Sequence, residues 1–241
     1  MHISLAKDRL HAAVDLLILS EKDGTLQLLL SRRTMEPYQN QWALPGCFLG
    51  LTESADEAAE RLLEEMLPIG QVYKEQLYTF TEAGRDLRGR VISIAYLVIV
   101  PWQKLQQTIS RTKMHCFTVA ANDGELTLTD GHGQALSIDG LAFDHGSILK
   151  IGIARIQGKI EYSDIGFHFL NTPQAFALSE MQRIYEAVLG KPQDSSNFRR
   201  YISSRYEGTG VIEQTNMEER GRRGRPAVLY RMKTKEEKND E

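Results

Sequence analysis

Two rhythms of apolar residues divide this chain. Up to about residue 140 they fall mostly in short unbroken or alternating runs, as strands do. Further on they recur every three or four positions, as on one helix face. Residues 12–19 form an apolar run of β character, Asp23-Gly24 is a hairpin turn, and residues 26–31 are the returning strand. Residues 42–48 read as a strand and loop. Ser54 is placed to cap a helix over residues 55–66, with Glu57 in the capping-box position, and Pro68 and Gly70 end it. The β-branched, almost wholly apolar residues 91–100 are the best central strand. Phe117, residues 126–128 and residues 136–138 suggest an added meander, punctuated by the turns Asn122-Asp123-Gly124 and Asp130-Gly131. Residues 148–156 have helical spacing. A sheet flanked by helices predicts an α+β sandwich.

The remainder is built differently. Residues 162–170 read as a short helix ended by Asn171-Thr172-Pro173. Ser179 is placed to cap an amphipathic helix that sets Met181, Ile184, Tyr185 and Val188 on one side and closes at Gly190. Asp194 caps a third helix over residues 195–204, which carries Arg199 and Arg200. Residues 211–214 and 228–232 look like strands joined by an Arg/Gly-rich loop. Three helices and a hairpin, the third helix cationic, predict a winged helix-turn-helix. The charged stretch 234–241 predicts a disordered tail. The expected division is therefore 1–157, 158–233 and 234–241.

Composition bounds the class. With 41% hydrophobic and 25% charged residues, the 241-residue chain has room for one full domain and a smaller one. No basic-then-apolar start suggests a secretory leader, and the apolar run 94–101 falls far short of the roughly 20 residues of a membrane span. Cys47 and Cys116 form neither a disulfide framework nor a metal spacing, so a cytoplasmic location is expected. Charge is uneven. Residues 173–233 hold 11 Lys/Arg against 7 Asp/Glu, whereas residues 1–172 hold 16 against 21. A basic second unit points to nucleic acid.

The candidate chemistry centres on residues 46–66, which resemble the Nudix box without completing it. In the ungapped alignment Cys47 takes the Gly position, Glu53 the first Glu and Arg61 the Arg; Leu62, Glu65 and Met66 then fall where three metal-binding carboxylates belong. Those slots are i, i+3 and i+4 on a helix and share one face. Mg2+ demands oxygen ligands, which Leu and Met lack. Sliding back by one aligns Gly46 and the Glu64-Glu65 pair but loses Glu53 to Thr52, so neither register is complete. No catalytic residue and no metal site is assigned; Glu53 and Glu65 are the residual candidates.

Three arginines in the loop 85–90 could grip a diphosphate bidentately, or make salt bridges in an exposed turn. Trp42 could stack on a base or fill the core. Asp144 is more readily a helix cap than an acid/base partner of His145. In the loop 220–226, Arg suits phosphates and the narrow minor groove, and Gly lets the backbone come close.

Taken together, the chain resembles the Nudix-related transcriptional regulators of NAD metabolism. The likeness rests on residues 42–46 before the box, 85–90 after it, 141–145 opening the last Nudix helix, 178–182 and 223–230. It implies a Nudix α/β/α sandwich followed by a winged helix-turn-helix. It implies a homodimeric repressor of operator DNA that senses ADP-ribose or a related nucleotide sugar, with Mg2+ needed only by a hydrolase. On that basis the ligand-contact candidates are Arg33, Trp42, Gly46, Phe48, Arg85, Asp86, Arg88 and Arg90, and the DNA-contact candidates are Arg199, Arg200, Arg222, Arg223 and Arg225. Cys47 and the added segment 103–140 depart from the family pattern.

Overall fold

An apolar run buried on both sides builds the centre of the molecule. The computed structural model describes residues 9–110, 112–122, 125–218 and 227–233. Arg222, Arg223 and Arg225, the Asp123-Gly124 turn and the 234–241 tail therefore lie outside the described residues. Strand β1 (His11–Lys22) turns through Asp23 and Gly24, both at positive φ, into β2 (Thr25–Arg32). The short strands β3 (Trp42–Ala43) and β4 (Gly46–Phe48) lead to α1 (Ala55–Met66), where Ser54 and Glu57 form the expected capping box. Then come β5 (Tyr73–Phe80), β6 (Val91–Ile99), α2 (Trp102–Ile109), β7 (Met114–Asn122), β8 (Glu125–Thr129) and β9 (Ala135–Ser137). The sheet runs β5-β6-β1-β2-β7-β8-β9, with β3 on β2 and β4 on β1. Only β1 and β6 pair in parallel among these, Val14 opposite Ile94 and Leu17 opposite Leu97. That pair is central, which is why both strands read as continuous apolar runs.

Side chains alternate across β1. Val14, Leu16 and Ile18 pack under α1 and α2 with Ala58, Leu62 and Leu105, while Leu17 and Leu19 face the opposite layer. That layer is α3 (His145–Ile160), whose Ile148, Leu149, Ile153 and Ile156 are buried. Each such side chain contributes roughly 1.5–3 kcal/mol. A methyl on Gly152 would lie 1.9 Å from a Leu17 methyl, so the glycine seats α3 directly on β1.

The second unit holds β10 (Phe176–Ala177), α4 (Leu178–Leu189), α5 (Ser195–Ile202), β11 (Ile212–Glu218) and β12 (Val228–Met232), its strands ordered β10-β12-β11. Gly190 closes α4 at positive φ, and Asp194 caps α5 by accepting from the Asn197 amide at 2.8 Å, both as expected.

Four expectations are corrected. Ser179 does not cap α4: Phe176 and Ala177 pair with Tyr230 and Leu229 and run straight into the helix at Leu178, leaving Ser179 inside the first turn. The short helix over 162–170 is a 3-10 turn over Ile165–Phe169, because α3 already extends to Ile160. The third helix stops at Ile202 and widens into a π turn over Ser203–Glu207. Asp144 occupies the N-cap position of α3, but its carboxylate makes no capping bond there. No boundary separates the two units at the core: one continuous cluster runs from Leu17 and Leu28 through Ile153 and Ile156 to Met181, Ile184, Phe198 and Tyr230.

Candidate functional site

Asp15 is one of two acidic residues in the buried run of β1, with Glu21 near its far end, and lies on the face that carries Leu17 and looks toward α3. It is opposed by Gly46 of β4. A methyl on Gly46 would sit 2.3 Å from Asp15 Oδ1 and 2.9 Å from the Val14 carbonyl oxygen, so only glycine lets the strands close there. Around Asp15 the chain assembles a polar network. Arg85 donates to Asp144 from Nε at 2.8 Å and from Nη2 at 2.6 Å, and Nη2 reaches Asp15 at 3.2 Å. Ser93 of β6 donates its hydroxyl to Asp15 at 2.5 Å. His145 accepts the Leu44 amide at Nδ1, 2.8 Å, which puts its proton on Nε2, 3.5 Å from Asp15. These bonds tie β6, the β5–β6 loop and the first turn of α3 to the Asp15 carboxylate of β1, with Leu44 held to the same turn through His145.

Burial alone would push the Asp15 carboxyl up, but His145, Ser93 and Arg85 outweigh it and hold it at about 2, against an ordinary 3.8. The sign follows: the stability contributed by ionised Asp15 is complete above about 3.8 and is lost as pH falls through about 2. Gly46→Ala is expected to overpack this point and lower stability by roughly 1–3 kcal/mol. Thermal denaturation checks this; an unchanged melting temperature would mean that Asp15 is free to move aside.

Beside the network lies a cluster of rings and guanidiniums. Phe143 holds φ at +57°, a left-handed conformation costly for a bulky residue, immediately before Asp144. Arg33 stacks on its ring at 4.6 Å and Arg88 at 5.2 Å, while Tyr38 meets it edge-on at 4.9 Å. Arg88 also covers Phe48 at 4.9 Å. The two arginines differ in charge balance. Arg88 is gripped by Asp86 through its backbone amide, Nε and Nη2, the last at 2.6 Å. Arg33 donates to the carbonyls of Pro37 and Met35, and makes no ion pair among the described residues. Burial and the neighbouring Arg88 push the Arg33 pKa down, against the opposite pull of Asp86 and Glu36.

Of the eight ligand-contact candidates, Arg33, Phe48 and Arg88 meet in this cluster, Asp86 holds Arg88, and Gly46 and Arg85 lie at the adjoining Asp15 network. Arg85 is turned inward, its side chain 4% exposed between Asp15 and Asp144, and Asp86 faces Arg88. Trp42 turns its ring to His115 and Phe117, both at 5.0 Å, and Arg90 is tied to the Thr81 carbonyl at 2.7 Å. The residues that sequence reasoning missed are Asp15 and Ser93. Their signal was present, since a polar residue inside a two-sided apolar strand requires a partner.

The box region has closed on itself. Glu53 accepts two bonds from Arg61, at 2.7 and 3.0 Å, and one from the Gly50 amide at 2.6 Å. Those bonds hold its carboxyl at about 2. Glu65 projects outward and meets Arg61 at 3.4 Å. Leu62 is buried against the sheet, and Met66 packs on the same cluster. Among the described residues no group of three or more His, Cys, Asp or Glu side chains could hold a metal ion. The residues do not fit Mg2+, because hydrocarbon stands at two of the three ligand slots and Glu53 is taken up by Arg61 and the Gly50 amide. On the second unit, Arg199 and Arg200 are exposed on α5, while Phe198 and Ile202 of the same helix are buried. No helix among the described residues is long and apolar enough to cross a membrane.

Comparison with known proteins follows this geometry. Residues 9–135 match the NUDIX domain family, and residues 166–232 match the NrtR DNA-binding winged helix domain. A relative from Acinetobacter baylyi, named an ADPR responsive transcriptional repressor, is 34% identical over 220 residues, 90% of this chain and 80% of its own. An ADP-ribose pyrophosphatase of Methanocaldococcus jannaschii is 31% identical over 146 residues, 58% of this chain and 73% of its own. Among solved structures, Shewanella oneidensis NrtR complexed with a 27mer DNA shares 28% identity, covers 92% of this chain and 93% of that one, and superposes with a TM-score of 0.72. A MutT/nudix family protein of Enterococcus faecalis shares 26% identity over 94% and 89%, with a TM-score of 0.73.

Proposed function

Because the chain belongs to the family that joins a NUDIX domain to an NrtR DNA-binding winged helix domain, we propose that it is an ADP-ribose-responsive transcriptional repressor. Residues 1–157 are the sensor and 158–233 the DNA-binding unit. What carries the reading is a conjunction: a Nudix domain with a cationic and aromatic cluster and, among the described residues, no metal-ligand set, on the same core as a winged helix. The diphosphate of ADP-ribose would meet Arg33 and Arg88, whose planar forks match phosphate oxygens. Phe48 and Phe143 hold the two guanidiniums in place by stacking beneath them. Arg85 and Asp86 serve by positioning, Arg85 fixing the start of α3 and Asp86 aiming Arg88. Trp42 and Arg90 brace the walls, and Gly46 keeps the space around Asp15.

On the DNA side, Arg199 and Arg200 of α5 and Arg222, Arg223 and Arg225 of the wing would contact phosphates and groove edges. A homodimer would set two such units on the half-sites of a near-palindromic operator, in the cytoplasm. ADP-ribose releases the DNA by favouring a different attitude of the two units, which requires it to bind the two states unequally. The test is fluorescence anisotropy of the gene's own upstream fragment at fixed salt, with and without ADP-ribose. Selective binding that ADP-ribose reverses is expected; binding no better than to scrambled DNA overturns the reading. The Methanocaldococcus relative motivates one alternative, a Mg2+-dependent hydrolase. Incubation of ADP-ribose with the protein and Mg2+ separates the two, and we expect no release of AMP.

A further inference from the structure

Helix α3 joins the Phe143 cluster to the DNA-binding unit, and it is held at both ends by named bonds. Its 16 residues span about 24 Å. At the first turn, Asp144 is fixed by Arg85, His145 is fixed by the Leu44 amide, and Gly146 lies so close to Ile138 that a methyl there would be 2.6 Å from its carbonyl oxygen. Strained Phe143, which both Arg33 and Arg88 touch, directly precedes this turn. Just beyond the last turn, the carbonyl of Glu161 accepts from the Tyr201 hydroxyl and that of Ser163 accepts from the Tyr206 hydroxyl at 2.7 Å. Tyr201 belongs to α5 itself and Tyr206 to the π turn that continues it. The Tyr206 hydroxyl also meets Tyr185 of α4 at 3.3 Å, and Arg205 stacks on the Tyr206 ring at 5.2 Å. One helix therefore begins beside the Phe143 cluster and leads into two tyrosine bonds, one from the helix that carries Arg199 and Arg200 and one from the π turn that continues it.

We propose that Tyr201 and Tyr206 are positioning residues, through which the state of the Phe143 cluster sets the attitude of α5. This rests on the repressor reading above. A ligand that displaces Phe143 or redirects Arg33 and Arg88 acts on the turn where α3 starts. Because α3 packs closely on β1 at Gly152, the motion open to it is a small shift or tilt of the whole helix about that contact. The two hydroxyls pass that shift to α5, since they join the carbonyls of Glu161 and Ser163, just after α3, to tyrosines whose rings pack in a buried aromatic cluster with Phe167, Tyr185 and Phe198. Packing between α3 and α4 alone would move the whole unit without specifying α5.

The experiment uses full-length wild type, Tyr201→Phe, Tyr206→Phe and the double variant, which keep the rings and delete the hydroxyls. Operator affinity is measured with and without ADP-ribose, and ADP-ribose affinity is measured calorimetrically on the same preparations. In the double variant, effector-free operator affinity and ADP-ribose affinity are each expected to stay within about threefold of wild type. The ratio of operator affinities without and with effector is expected to fall at least about fivefold, which is within the usual range of allosteric coupling. A ratio that stays at the wild-type value overturns the proposal, even if the variant melts earlier, because a merely structural role weakens both states alike. A wild type that binds operator but shows no ratio at all is a failure of the repressor reading, and the wild-type arm alone reveals it.

Discussion

Arg85→Met is expected to destabilise the sensor unit by roughly 3–5 kcal/mol, because it leaves the buried Asp15 carboxylate without its cation and takes both bonds from the half-buried Asp144. Asp15 has a side chain 9% exposed and would keep only Ser93 and His145; Asp144 would lose both bonds that now aim it. On a domain of this size such a loss corresponds to a melting temperature lower by on the order of 10 °C. Arg85→Lys is expected to recover only part of it, since an ammonium cannot fork between Asp144 and Asp15 as the guanidinium does. Arg85→Met combined with Asp15→Asn removes one stranded charge and is expected to recover stability relative to Arg85→Met alone. Denaturant titration of the four proteins reads the coupling directly. If Arg85→Met proves neutral, Asp15 is neutral in that variant and the network is weaker than its geometry. ADP-ribose binding should fall with Arg85→Met even below its unfolding temperature, because Asp144 and Phe143 adjoin each other at the cluster.

The second large effect belongs to α5. Arg199→Ala with Arg200→Ala is expected to weaken operator binding on the order of 50-fold near 0.1 M salt, and to lower the log–log salt slope by about 1.8, at roughly 0.9 per phosphate contact. Both side chains are exposed and lie away from the core, so the fold should be untouched. Arg223→Ala with Arg225→Ala forms a parallel arm for the wing. Should Arg199 and Arg200 read bases rather than phosphates, sequence selectivity will relax while the slope changes little. An unchanged affinity and an unchanged slope together would remove α5 from the interface.

How much of this was legible beforehand depends on what each element packs against. Strand β6 and helix α1 were clear because their patterns match their burial, a two-sided apolar run in one case and a capped amphipathic helix in the other. Strand β5 was missed. It is an edge strand whose Lys74, Glu75 and Gln76 interrupt any alternation, and its pairing with β6 supplies what its sequence lacks. Helix α2 was missed for a related reason, since Leu105 is its only buried residue. The arginines of the 85–90 loop were found by type, yet type does not distinguish Arg85, which faces inward, from Arg88, which joins the ring cluster.

By itself, the sequence determined the order of the two units, the loss of metal ligands at Leu62 and Met66, and the cationic character of the second unit. Those are properties of residue identity and local periodicity, and no packing can change them. Tertiary structure alone decided that Asp15, distant in sequence from Arg85 and Asp144, is the centre of the cluster's support, and that Glu53 is consumed by Arg61 and Gly50. It also decided that α3 spans from the cluster to the tyrosines of the DNA-binding unit. The physical reason is range: hydrophobic rhythm and capping act over a few residues, whereas a buried charge finds its partner wherever the sheet brings the chain back.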